Sequence, residues 1–297
     1  PPSGCPAADT DYIQLLQRRA SLHATKEAGQ GGETTHKVTD SRSVLHPLLK
    51  QCGNDDMAGR KGASIMNNMS QRGEDVRAES GYFKGLCGGT YIELGAFNGK
   101  KFSNTYMFKH KLNWKGILVE ADPDSFEQLK QNRKDGEIAL EHMAICSKQM
   151  MVHWVADNPD RATHGIHEFM SPRFLHRWHP QLEGIPPSQL SKASGVTEVP
   201  CNTMTSILDK HSVNHIDLFS LDVEGAELEV LQSVDFSRIS FGLLIIESNN
   251  HTAELKAILE PHGYKYVETF PSVKGNDWFV NANFKDWYGH NPEAAKH

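Results

Sequence analysis

Five carboxylates stand where apolar runs end: Glu93 in TYIELGAFNGKK, Glu120 in GILVEADP, Asp222 and Glu224 in LFSLDVEG, and Glu247 in LLIIES. After Glu93 the chain passes Gly95, Ala96, Phe97, Asn98 and Gly99 and enters a helical period, so a tight turn delivers backbone amides to a ligand above the strand. Glu120 follows after the next apolar run, where a carboxylate accepts both hydroxyls of a ribose. The two signals together suit an adenosine-type cofactor. A dinucleotide would need Gly-x-Gly-x-x-Gly, but Phe97 replaces the middle glycine and Glu93 repels phosphate. The same acid suits the cationic amino-acid end of S-adenosylmethionine (SAM). The competing reading is a strand-to-helix turn that holds nothing, and Glu120 in register weighs against it.

Asp222, Glu224 and Glu247 leave two successive strands at their carboxyl ends, where ligands bind in open α/β sheets. Hard oxygen donors of this kind favour Mg²⁺ or Mn²⁺ over zinc. Asp222 and Glu247 are the expected metal ligands; Asp222 and Glu224 are also expected to act on an acceptor hydroxyl, whose proton a base must take. The alternative is that Asp222 or Glu224 caps the following helix. Glu227 reads as a helix-surface or packing residue. His153, His164, His167, His176 and His179 crowd residues 153–179, and the absence of His-Glu-x-x-His excludes a zinc-peptidase motif. His164, beside Gly165, is the expected acceptor-side base, the others reading as surface or packing residues. Phe169, Phe174 and Trp178 suit either sugar stacking or packing.

Short apolar runs alternate with helical periods from residue 88 onward, which predicts a parallel sheet flanked by helices. The expected strands are Thr90–Leu94, Gly116–Glu120, Ile138–His142, Ile216–Leu221, Leu243–Glu247, Tyr264–Thr269 and Trp278–Asn281. The expected helices are Ser103–Lys111, Pro123–Arg133, Met204–His211, Ala226–Ser233 and His251–His262. Residues 1–45 read as a stem or arm with a helix at Asp11–Ala20, residues 46–87 as a helical extension covering one side of the core, and 88–297 as the main domain. Within it, 157–200 forms a long acceptor-side insertion, and loops of that length are commonly functional.

The chain has 297 residues, is 38% hydrophobic and carries a net charge of −6, which argues against a nucleic-acid surface. No apolar run is long enough to span a membrane. The chain opens at Pro-Pro-Ser rather than Met, which suits a form whose anchor or signal has been removed. Of five cysteines, Cys146 and Cys201 read as buried thiols, whereas Cys52 and Cys87 can pair in an oxidising compartment. Asn68-Met-Ser and Asn250-His-Thr are sequons that fit secretion.

GTYIELGAFNGKKFSNT, WKGILVEADPDSFEQLKQNR, IDLFSLDVEGAELEVLQSVDF and FGLLIIES together resemble the FkbM-type family of SAM-dependent methyltransferases, over residues 88 to 281. The resemblance implies a class I Rossmann-like fold, with a mostly parallel seven-stranded sheet whose last strand runs antiparallel, and O-methylation of hydroxyl groups. FSNT and WKGILVEADP look like eukaryotic members that methylate glycan sugars, which places the chain in the secretory pathway, in the Golgi lumen. Carried over by position, Glu93, Gly95, Asn98, Gly99, Ser103 and Asn104 would hold the methionine part of SAM, Glu120 the ribose, and Met143 and Ala144 would lie against the adenine. Macrocin-type sugar methyltransferases hold a metal at places similar to Asp222 and Glu247. Asp157-Asn-Pro-Asp160 is misplaced for the Asn-Pro-Pro-Tyr motif of amino-group methyltransferases, which disfavours transfer to nitrogen. Two alternatives stand beside the glycan reading: a cytoplasmic enzyme acting on a small-metabolite or lipid hydroxyl, and a non-catalytic trafficking or interaction protein.

Overall fold

The computed structural model describes residues 49–52, 68–159, 163–271 and 275–292. The expected stem with its Asp11–Ala20 helix, Cys5 and residues 53–67 lie outside the described residues. Thirteen strands occur among the described residues: β1 (Lys50–Gln51), β2 (Leu86–Cys87), β3 (Thr90–Leu94), β4 (Lys115–Glu120), β5 (Ala139–His142), β6 (Ala144–Ile145), β7 (Met150–Val155), β8 (Gly165–Ile166), β9 (Val196–Asn202), β10 (His215–Leu221), β11 (Ser240–Glu247), β12 (Tyr264–Phe270) and β13 (Asn276–Asn281). Seven of them form one sheet in the order β12-β13-β11-β10-β3-β4-β5. Those seven are the strands expected from the apolar runs. β13 is antiparallel to both of its neighbours, while β5, β4, β3, β10 and β11 are parallel.

The sheet is apolar on both faces, as a parallel sheet covered by helices must be. Every residue of β10 is buried. Alternation along the strands divides the core: Ile92, Leu94, Phe219, Leu221, Leu244 and Ile246 face one helical layer. Tyr91, Leu118, Leu218, Leu243 and Ile245 face the other, which takes in Tyr82 and Phe83 from the N-terminal extension with Phe108, Trp114 and Phe284. That extension is the helix Glu74–Ala78 followed by a π-helical turn, Glu79–Phe83. Phe83 meets Trp114 edge-on with ring centres 4.8 Å apart.

Strand order reverses between β3 and β10, so their carboxyl ends open a crevice at a topological switch point. The helix after β3 starts at Tyr106 rather than Ser103, because residues 103–105 are taken up by a turn described below. The helix Pro123–Asn132 begins where Asp122 accepts the Asp124 amide at 3.1 Å.

The insertion and the segment just before it hold more structure than their sequence announced. β6, β9, β7 and β8 build a second, four-stranded sheet beside the first, with helices Pro172–Trp178 and Pro187–Leu190 between β8 and β9. Pairing of β6 with β9 sets Cys146 and Cys201 with Cα atoms 5.8 Å apart, and they form a disulfide. This corrects the buried-thiol expectation: the cysteines are far apart in sequence, but strand pairing brings them within bridging range. Cys52 and Cys87 also form a disulfide, with Cα atoms 5.1 Å apart, beside the β1–β2 pair.

Candidate functional site

A cavity of about 500 Å³ opens over the switch point, a size typical of small-molecule sites. It is lined by Glu93, Gly95, Ser103, Asn104, Glu120, Met143, Ala144, His164, Asp222, Glu224 and Glu247. Asn98 and Gly99 are not among its lining residues. The Asn98 side chain accepts the amides of Lys100 and Lys101 at 3.1 and 2.8 Å, which shapes the turn. Gly99, at φ 73°, is needed for packing: a Cβ there would lie 2.4 Å from the Leu129 side chain and 2.8 Å from that of Arg133. Both expected cofactor residues thus shape the turn and its packing instead of forming the cavity wall.

Gly95 also serves the fold. At φ 73°, a Cβ on it would sit 1.7 Å from the carbonyl oxygen of Asp222. The backbone is bare there because the neighbouring strand end, and not only a ligand, comes that close.

Glu93 differs from its sequence expectation too. One oxygen accepts the Asn104 amide at 2.7 Å; the other accepts the Ser103 and Thr105 hydroxyls at 2.8 and 2.6 Å. The fully buried guanidinium of Arg133 lies 3.7 Å away and also donates to the Ser103 and Thr105 hydroxyls. Burial, the largest influence, leaves the Glu93 carboxyl above its ordinary range even though Arg133 and these donors pull it down. Glu93 thus organises the Ser103–Thr105 turn, with Arg133 as its neighbouring cation, while lining the cavity. The Asn104 side chain reaches across to the Ser220 hydroxyl at 3.0 Å, joining this turn to β10.

Glu120 lines the cavity at the end of β4. Its two oxygens take the Phe97 amide at 2.6 Å and the Asp122 amide at 2.7 Å. A carboxylate has further lone pairs for two hydroxyls. Burial raises its carboxyl to about 7, against the backbone amides of Asp122 and Phe97 that lower it. Met143 and Ala144, at the end of β5 and the start of β6, form the adjoining wall, and the Met143 amide donates to the Glu120 carbonyl at 3.1 Å. Cavity size, the lone pairs of Glu120 and this apolar wall fit an adenosine moiety.

The opposite wall is acidic. Asp222, Glu227 and Glu247 each present an oxygen within 4.8 Å of the others. Glu224, at φ 55°, stands beside them in the turn after β10. Asp222 and Glu224 are solvent-exposed on the cavity wall, with protein atoms crowded around them, whereas Glu227 is buried. Burial, then repulsion from Glu247, Glu224 and Glu227, pushes the Asp222 carboxyl well above the usual range. Burial and like charge likewise raise Glu224 and Glu227 to about 7. Glu227 accepts the Val223 and Gly225 amides, both at 3.1 Å, with one oxygen. Its helix-surface reading is corrected: the helix Glu227–Gln232 starts late enough to turn this first residue into the acid cluster. Three hard oxygen donors without a protein cation among the described residues fit a divalent ion.

His164 lines the cavity, but its Nε2 lies 2.8 Å from the Asn158 carbonyl and must donate to it, leaving Nδ1 as the open nitrogen. His153 pairs with Glu168 at 2.6 Å and His179 with Asp157 at 2.6 Å, in keeping with packing roles. Of the insertion's aromatic residues, Phe169 lines the cavity, whereas Trp178 is stacked with Arg177 at 4.9 Å. Sequence reasoning missed Arg72, Phe102, Trp154 and Asn276 as lining residues. For Arg72 and Asn276 no motif signals a role; Trp154 carried the only available cue, an aromatic in an alternating stretch after the third expected strand.

The family described as Methyltransferase FkbM domain matches residues 93–266. No curated protein matches the chain. Among solved structures, it is similar to an FkbM methyltransferase from Methylobacillus flagellatus KT at 12% identity and TM-score 0.39, with 65% of this chain and 43% of that one covered. A TehB-like SAM-dependent methyltransferase from Corynebacterium glutamicum is 14% identical with TM-score 0.33, over 76% of this chain and 94% of that one. TrmK from M. capricolum, solved in complex with S-adenosyl-homocysteine, is 12% identical with TM-score 0.36, over 73% and 70%. The chain spans less than half the length of the M. flagellatus protein. The family match covers more than half of this chain, and the chain belongs to the FkbM family of SAM-dependent methyltransferases.

Proposed function

We propose that this protein is an O-methyltransferase that moves the methyl group of SAM to a sugar hydroxyl of a glycan, with a divalent cation, Mn²⁺ or Mg²⁺, at Asp222, Glu227 and Glu247. The observation that carries the reading is the acid cluster at the switch point, in the same cavity as Glu120. In the reaction the acceptor oxygen forms a bond to the methyl carbon as the carbon–sulfur bond breaks; the sulfur leaves as a neutral thioether and the hydroxyl proton passes to a base. A bound cation would supply polarisation of the hydroxyl, which otherwise holds its proton far above neutral pH. Glu120 holds the ribose and so fixes the direction from which the methyl group is presented. Glu224 stands at the open side of the cluster and takes the proton.

Phe102, 49% exposed at the cavity's edge, offers a ring face of the kind on which sugars stack, which supports a glycan acceptor. The disulfides Cys52–Cys87 and Cys146–Cys201 support an oxidising compartment, and with it the lumen of the secretory pathway. The test is transfer of labelled methyl from SAM to a panel of monosaccharide glycosides and glycoprotein glycans, with Mn²⁺, with Mg²⁺ and with EDTA. Label on a sugar that disappears with EDTA is the expected result. Undiminished transfer in EDTA would remove the cation, and label only on small-molecule hydroxyls would replace the acceptor.

A further inference from the structure

Asn250-His251-Thr252, an Asn-x-Thr sequon, lines neither the cavity nor a core cluster. It follows β11 closely, at the carboxyl edge of the sheet on which the cavity opens. The His251 amide donates to the Ser248 carbonyl at 2.6 Å and closes a turn whose two central residues, Asn249 at φ 44° and Asn250 at φ 71°, are left-handed. Asparagine tolerates that backbone. The Asn249 side chain is committed: its amide donates to the Glu247 carboxylate at 2.8 Å. The Asn250 side chain is exposed and has no hydrogen-bond partner among the described residues. The left-handed turn accounts for an asparagine at 250, but not for a hydroxyl two positions later. Thr252 opens the helix Thr252–Leu259 after His251 at the cap position, and its hydroxyl makes no hydrogen bond among the described residues. The other sequon is different. In Asn68-Met69-Ser70 the Ser70 hydroxyl donates to Asp75 at 2.6 Å and accepts the Gly73 amide at 3.1 Å, and the Ser70 backbone bridges to Phe102. The fold explains Ser70 and leaves Thr252 unexplained.

We infer that Asn250 carries an N-linked glycan, with Thr252 as the hydroxyl residue that its attachment requires. In the attachment the Asn250 Nδ2 forms a bond to the anomeric carbon of an oligosaccharide as the bond from that carbon to the diphosphate of a lipid carrier breaks. The diphosphate leaves with the electron pair, and the amide nitrogen gives up a proton. The donor is a lipid-diphosphate oligosaccharide met in the secretory lumen, so this rests on the lumenal reading of the two disulfides. The folded protein has to leave the bulky product room in water, which an exposed turn does. A glycan here stands one residue beyond the asparagine that holds Glu247, at the edge of the sheet that carries the acid cluster.

The test takes the chain purified from the cells that make it, digested without reductant before and after treatment with peptide N-glycosidase, and reads the Asn250 and Cys146–Cys201 peptides by mass spectrometry. The expected result is a glycan mass on the Asn250 peptide that the glycosidase removes, leaving aspartate at that position, together with linked cysteine peptides. In the same cells Thr252→Ala, which keeps Asn250 and its turn, is expected to lose that glycan completely, and Thr252→Ser to retain it. A Thr252→Ala chain still glycosylated at Asn250 would overturn the inference, because attachment would not depend on the hydroxyl. A bare Asn250 in a wild-type chain whose Cys146–Cys201 disulfide is formed would overturn it and leave the lumenal reading standing. A bare Asn250 with both cysteines free would overturn the lumenal reading itself, and the inference with it.

Discussion

Two acidic regions border one cavity and are treated in opposite ways. At the Glu93 end, a buried carboxylate is met by the guanidinium of Arg133, two hydroxyls and an amide. At the Asp222 end, four carboxylates crowd together, and among the described residues none pairs with lysine or arginine. Burying an ion costs several kcal/mol, and a native structure offsets that with partners where the group serves only the fold. The compensated acid is scaffold. The uncompensated cluster carries mutual repulsion, which a bound cation would relieve.

Substitutions at the two ends should therefore separate. Arg133→Ala strands Glu93 and is expected to cost about 3–5 kcal/mol, seen as a fall in Tm of roughly 10 °C. An unchanged Tm would show that the Glu93 end does not depend on its cation. Asp222→Asn relieves repulsion and should leave Tm level or raised, while turnover with a sugar acceptor falls by about 10²–10⁴. A destabilised but active Asp222→Asn enzyme would erase the contrast. Glu227→Gln is expected to weaken Mn²⁺ binding by about 10–100-fold, measured by calorimetry, with little change in S-adenosylhomocysteine affinity at saturating ion. The smallest effect belongs to Glu120, where partners are present but no cation. With its carboxyl raised to about 7, the folded chain retains between pH 4.5 and 7 a proton that the unfolded chain has released. Its contribution to stability thus declines as pH rises through that window. Ribose binding prefers the ionised acid, so S-adenosylhomocysteine affinity should rise severalfold, roughly, from pH 6 to 8. In Glu120→Gln the profile should be flat.

The central sheet was legible because its strands are short apolar runs, four of them (β3, β4, β10 and β11) ended by a glycine or an acid, as in GILVE and LFSLD. The cavity-lining acids were legible because strand ends at a switch point are where ligands bind. What sequence spacing could not carry was side-chain direction. Glu93 lies at a strand end like Glu120, yet it turns toward Arg133, forty positions away on another element. Gly99 looked like part of a ligand loop, but the constraint on it comes from Leu129 and Arg133. The second sheet escaped notice because β6 and β8 have two residues each and their pairing with β7 and β9 is long-range. Glu227 was misread because a first-turn helix residue has the same local pattern whether it faces water or a cluster of acids.

The approach of Gly95 to the Asp222 carbonyl has a thermodynamic corollary. The turn that carries the Phe97 amide to Glu120 and the turn that carries the acids have no slack between them, so neither can be displaced without pressing on the other. If a cation bound at the acids changes the hold on the cofactor by some factor, the cofactor must change the hold on the cation by that same factor. Occupancy of one half is then information about the other, conveyed through a contact that a single methyl group would block.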